Sequence, residues 1–125
     1  MRPDEFDQLV ERAWRRIPAR FRKRLKNIAL VVEPEPTARQ LTSGRVARGC
    51  TLLGLYEGRP LTNRSVFEPF AMPDRITIFQ GPHERMAASP EHLERLVEDT
   101  IWHEVAHYFG MNELQVRAAE RRRGR

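Results

Sequence analysis

The sequence predicts one small domain of mixed helix and strand, and three observations carry that expectation. The chain has 125 residues, enough to bury a single modest core and too few for two. Apolar residues recur at helical spacing near both ends, over residues 4–17 and about 90–109. Between them lie three runs of strand length, "NIALVVE", "TLLGLYEG" and "RITIFQ", each bounded by turn-forming residues.

The first helix rests on Phe6, Leu9, Val10, Ala13, Trp14 and Ile17, which follow the i, i+3, i+4, i+7 pattern up to Pro18. "PARFRKRL" predicts a short second helix with Phe21 and Leu25 inward and four basic residues outward. "NIALVVE" is too short for a buried helix and is rich in valine and isoleucine, so it is a strand stopped by "EPEP". Residues 37–49 are polar and aperiodic, which predicts a long mobile loop. "TLLGLYEG" is interrupted by Gly54, and a glycine inside a strand marks a bulge or the close passage of another segment. "RPLTNRSVFEPFAMPD" is a further loop. "RITIFQ" sets Ile76 and Ile78 opposite Thr77 and Phe79, and "GPHERMAAS" holds a short helical turn. Ser89, Pro90 and Glu91 then form a strong helix start: a capping hydroxyl, a proline where no N–H is needed and an acid at the positive end of the dipole. Leu93, Leu96, Val97, Ile101 and Val105 give that helix its apolar stripe, and Gly110 ends it in the left-handed conformation.

Composition excludes several classes. No apolar run approaches the ~18 residues of a membrane span. "MRPDEFDQLVERAW" is charged throughout, unlike a secretory signal, which points to the cytoplasm. Cys50 is the only cysteine, so it has no internal disulfide partner and is read as a small, partly buried residue. The net charge of +5 is concentrated at the ends. Residues 1–26 carry nine basic and four acidic groups, and 117–125 carry five and one. The centre, 27–116, has 8 basic against 12 acidic groups, a balance that suits a cation better than a phosphate. The ending "RRRGR" is expected to be a solvated tail, and nucleic acid is an unlikely partner.

The centre of interest is "TIWHEVAHYFGMNE". His103, Glu104 and His107 form H-E-x-x-H, followed by Gly110 and Glu113. On a helix the two histidines lie ~40° apart and one turn removed, so both imidazoles can reach one ion. Glu104, ~60° further round, can sit beside the ion and take a proton from water. A helix break at Gly110 can bring Glu113 back as a third ligand, leaving a fourth position open as in catalytic zinc sites. The alternative is two surface or internally satisfied histidines on an amphipathic helix whose Gly110 is only a cap. Tyr56 and Tyr108 are considered as oxyanion donors and left out of the set, because each is equally readable as a packing aromatic. Asp99, one turn before His103, is a candidate to orient that imidazole. His83 and His92 have no partner at ligand spacing, and His92 is expected to be solvated. Met111 is expected to be a core or cap contact.

"HEVAHYFGMNE", with "LLGLYEGRPLTNR", "MPDRITIFQGPHER" and "DEFDQLVERAW", resembles the small bacterial zincin-like metallopeptidases sometimes called minimal zincins, over nearly the whole chain. The resemblance implies an α+β zincin fold, a small twisted mixed sheet beside an active-site helix. It implies one zinc ion held by His103, His107 and Glu113, with Glu104 as base. Members typically carry aspartate where this chain has Glu113, and no methionine follows that position here, unlike the larger metzincins. The implied activity is zinc-dependent hydrolysis of peptide bonds, with a peptide or protein as substrate. A substrate strand would lie along a sheet edge, either "TLLGLY" or "RITIFQ". Two other functions compete: a non-catalytic zinc-stabilised interaction module, and a metal-dependent ribonuclease, which the acidic centre disfavours.

Overall fold

Residues 1–25, 27–44, 51–58 and 74–110 are described by the structure, a computed structural model. Helix α1 spans Pro3–Arg15 and buries Phe6, Leu9, Val10 and Ala13. It stops two residues before the expected end. Pro18 disfavours helical backbone in the residue before it, and the N–H groups of Arg16 and Ile17 turn tightly onto Ala13 O and Trp14 O. Ile17 nevertheless reaches the core, at 3% exposure. A single turn, α2 at Ala19–Arg22, follows, with Leu25 buried as expected.

Strand β1 is Ile28–Glu33, β2 is Gly54–Glu57 and β3 is Asp74–Phe79. They form one mixed sheet in the order β1-β3-β2, with β1 parallel and β2 antiparallel to β3. The last strand in sequence is therefore the middle one in space. Because β3 is paired on both sides, it cannot serve as a substrate-binding edge, which removes "RITIFQ" from the two candidates. Its two faces are both covered. Ile76 and Ile78 join α1 and the C-terminal helix in the main core, while Phe79 packs with Leu52, Leu55 and Leu41 on the other side. The strand in "TLLGLYEG" begins at Gly54 rather than at Thr51, so the glycine opens the strand instead of interrupting it.

The expected loop at 37–49 contains helix α3, Ala38–Ser43. Six residues are too few to show an apolar period, but "TARQ" carries a complete capping box. Thr37 Oγ1 accepts from Gln40 N–H at 3.1 Å, and Gln40 Oε1 accepts from Thr37 N–H at 2.8 Å. Residues 45–50, with Cys50, lie outside the described residues, as does the expected loop at 59–74 except for its last residue, Asp74, which opens β3 instead.

Helix α4, Gln80–Met86, is the expected turn before the long helix α5, Pro90–Tyr108. Ser89 Oγ caps α5 by accepting the His92 N–H at 3.1 Å. Gly110, at φ 78, has the left-handed backbone that an L side chain resists. Leu93, Val97, Ile101 and Val105 pack into the core against α1 and β3. Arg16 ties the same two helices from the solvent side, donating to Glu98 at 3.0 Å and meeting Glu94 at 3.0 Å. The architecture is α+β, with α5 laid across one face of the sheet. Among the described residues, no helix is long and apolar enough to cross a membrane.

Candidate metal centre

Helical periodicity brings His103, Glu104 and His107 to one side of α5, where Glu104 is buried at the margin of the stripe that packs into the core and the two histidines are half-buried. The two imidazole rings lie 4.6 Å apart, centroid to centroid, at 68°. One nitrogen or oxygen from each of the three residues falls within 4.8 Å of the others. This spacing allows the two histidines to hold one ion between them. The donors are of the type zinc prefers. Glu113 and Met111 lie outside the described residues.

Glu104 is 7% exposed, an unusual place for a carboxylate without a partner. Its partner is the main chain of β2. Phe79 N–H donates to Leu53 O at 3.0 Å, so Leu53 and Leu55 turn their peptide groups toward β3, and Gly54 and Tyr56 turn theirs outward. The outward Tyr56 N–H donates to Glu104 Oε1 at 2.9 Å, and the same oxygen lies 3.3 Å from His107 Nδ1.

Gly54 makes this approach possible. A Cβ there would stand 2.6 Å from Thr100 Cγ2 and 3.5 Å from Glu104 Cγ. The expectation that this glycine marks the close passage of another segment is met, and the segment is α5. Gly54→Ala should therefore destabilise the fold by ~1–3 kcal/mol through overpacking. Thr100→Ser deletes the opposing methyl, so the double variant should recover part of that loss. Urea denaturation of the four proteins of the cycle checks this, and strictly additive effects would contradict the contact.

A cleft of ≈ 360 Å³ opens beside the centre, bordered by residues 51–54, Met86, Leu96, Asp99, Thr100, His103 and Glu104. Leu96 belongs to this cleft. Its expected place in the core stripe is corrected: among the apolar residues of that stripe it is half-buried and outside the core cluster. The rotation that seats Val97 in the core turns its neighbour outward.

The remaining candidates separate clearly. Tyr56 Oη donates to Asp74 Oδ2 at 2.7 Å, and Tyr108 is buried with its hydroxyl toward Arg24 O at 3.4 Å, so both phenols are engaged away from the centre. Asp99 shares the cleft with His103. His92 is half-buried, and its Nδ1 accepts the Ala88 N–H at 2.9 Å. His83 is fully buried, with Nδ1 2.8 Å from Phe79 O and Nε2 3.0 Å from Thr100 Oγ1. Loss of hydration holds its pKa below the ordinary histidine value, favouring the neutral ring. It buttresses the helix one turn ahead of His103. The Tyr56 amide could not be found from side-chain types, because a main-chain donor leaves no mark in the sequence beyond the nearby glycine.

A profile of the zincin-like metallopeptidases matches residues 25–123. The chain belongs to the zincin-like metallopeptidase family, whose members ordinarily bind zinc. Among solved structures it is similar to a conserved hypothetical protein from Thermus thermophilus. The two are 27% identical, with a TM-score of 0.56 over 86% of this chain and 92% of that one. No curated protein matches.

Proposed function

We propose that the chain is a zinc-dependent peptidase in which His103, His107 and Glu113 hold the metal and Glu104 is the general base. One observation carries the reading: a buried carboxylate, fixed by a main-chain amide, sits beside two imidazoles and opens onto a cleft. Zinc, when bound, acts as a Lewis acid that polarises a carbonyl and makes water acidic. Glu104 accepts the proton from that water and returns it to the leaving amine. Tyr56 N–H engages Oε1 and so fixes the carboxylate, leaving Oε2 to carry the proton. The substrate is a peptide or protein lying extended along the outer edge of β2, where main-chain groups of Gly54 face outward. Residues 1–125 act as one domain with a basic tail at 117–125, in the cytoplasm.

Zinc content after exhaustive dialysis and cleavage of a mixed peptide library test the reading together. One zinc per chain and chelator-sensitive cleavage are expected, both lost in the His103→Ala/His107→Ala double variant. Equal zinc retention by that variant, or zinc-loaded protein that leaves the library intact, would count against it.

A further inference from the structure

The basicity of the first 26 residues has a definite place in the fold. No acidic residue occurs between Glu11 and Glu33, and five of the basic ones fall in residues 19–26, across α2 and the turn after it. The arginines just before them are neutralised: Arg12, Arg15 and Arg16 meet Glu94, Glu11 and Glu94 at 3.5, 2.7 and 3.0 Å. Arg20, Arg22, Lys23 and Arg24 are exposed and meet no carboxylate among the described residues. Two of these groups are mounted on aromatic rings. Arg20 Cζ stands 4.9 Å from the centre of the Phe21 ring, and Arg24 Cζ 5.1 Å from that of Phe109. The two rings lie 5.9 Å apart, and Phe21 packs edge-on against Trp102 at 5.3 Å. Leu25 is buried and Tyr108 Oη lies 3.4 Å from Arg24 O, so the segment is fastened to α5. Residues 102 and 109 share a face of that helix roughly 130° round from His103 and His107. We infer that this basic face is a docking surface for an acidic segment of a partner protein, separate from the metal centre.

Three features support it. Arg20, Arg22, Lys23 and Arg24 crowd like charges into one short segment, and carboxylates brought by a ligand relieve their repulsion. Guanidinium groups held over rings are already ordered, so presenting their N–H forks to a carboxylate costs little further side-chain entropy. Single-stranded nucleic acid is served less well, because its bases stack on open aromatic faces, and here arginines stand over Phe21 and Phe109. This surface is independent of the peptidase reading and of bound metal.

The test follows a fluorescein-labelled, glutamate-rich peptide by fluorescence anisotropy on the full chain, with chelator present and at physiological ionic strength. The same peptide with glutamine for glutamate, and a single-stranded RNA of equal charge, are the comparison probes. Arg20→Gln/Arg24→Gln should weaken binding of the glutamate peptide roughly tenfold or more, since two charge-assisted donors are lost. Arg2→Gln/Arg39→Gln removes the same charge from exposed positions elsewhere and should change it less than about twofold, because salt screens distant charges. Arg20→Lys/Arg24→Lys keeps the charge without the planar fork and should weaken binding severalfold. All four positions are exposed, so circular-dichroism melts of the variants should coincide with wild type. Wild type that binds the glutamine peptide as tightly as the glutamate one, or binds neither, would overturn the inference. So would equal losses in the two glutamine variants, or full retention by the lysine variant. Tighter binding of the RNA than of the peptide, lost in Arg20→Gln/Arg24→Gln, would give the surface to nucleic acid instead.

Discussion

Glu104→Gln should lower peptide hydrolysis by ~10²–10⁴-fold, the usual contribution of a general base, while zinc content and melting temperature change little. The amide is nearly the size of the carboxylate and can still accept the Tyr56 N–H through its carbonyl oxygen, so the contact between β2 and α5 survives. What it loses is the ability to take a proton. Hydrolysis rates of zinc-loaded wild type and variant, with metal content measured on the same samples, check this. Cleavage that continues unchanged in a verified Glu104→Gln sample would remove Glu104 from the mechanism.

Zinc at a thousandfold excess over its dissociation constant should stabilise the folded chain by ~4 kcal/mol, provided the unfolded chain does not bind it. For a domain of this size that corresponds to a rise in melting temperature on the order of 10 °C. His103→Ala/His107→Ala should abolish the rise, and Glu104→Gln should keep it. Thermal melts with zinc and with chelator read the difference. A rise that persists in the double variant would mean that the metal binds elsewhere. The two experiments divide the three residues of α5 by role, since a ligand affects both stability and rate and a base affects rate alone.

Much of this is legible in the chain alone. The capped start at Ser89, the helix stop at Gly110 and the spacing of His103, Glu104 and His107 are local properties of one helix, and local properties are written in contiguous residues. The strands are visible for the same reason. Their order is not, because Ile28 meets Asp74 only through pairing across the intervening chain. Helix α3 escapes because its signal is a cap rather than an apolar period. Leu96 reads as core because a helical stripe has soft edges, and only the packed neighbours decide on which side a boundary residue falls. The site shows the same division. Its side chains come from one short stretch, whereas the amide that fixes Glu104 comes from residue 56, 48 positions away, and nothing in the type of that residue announces it.

The sheet order bears on how the molecule is made. Neither β1 nor β2 pairs with the other; each has its partner in β3, which begins at Asp74. On the ribosome, the first 73 residues therefore emerge holding two of the three described strands and no described ladder to join. When residues 74–79 appear, one six-residue segment closes a parallel pairing with β1 and an antiparallel pairing with β2, and α4 and α5 follow directly. Closing the parallel pair requires a long excursion of chain, which is slow relative to local helix formation. The histidine-bearing helix follows the last described strand in the chain, and the contact between Glu104 and the Tyr56 amide joins segments on either side of that strand. A nascent chain halted before residue 74 should expose Leu30, Val32 and Leu55 without a sheet to receive them, and would be the species that chaperones bind.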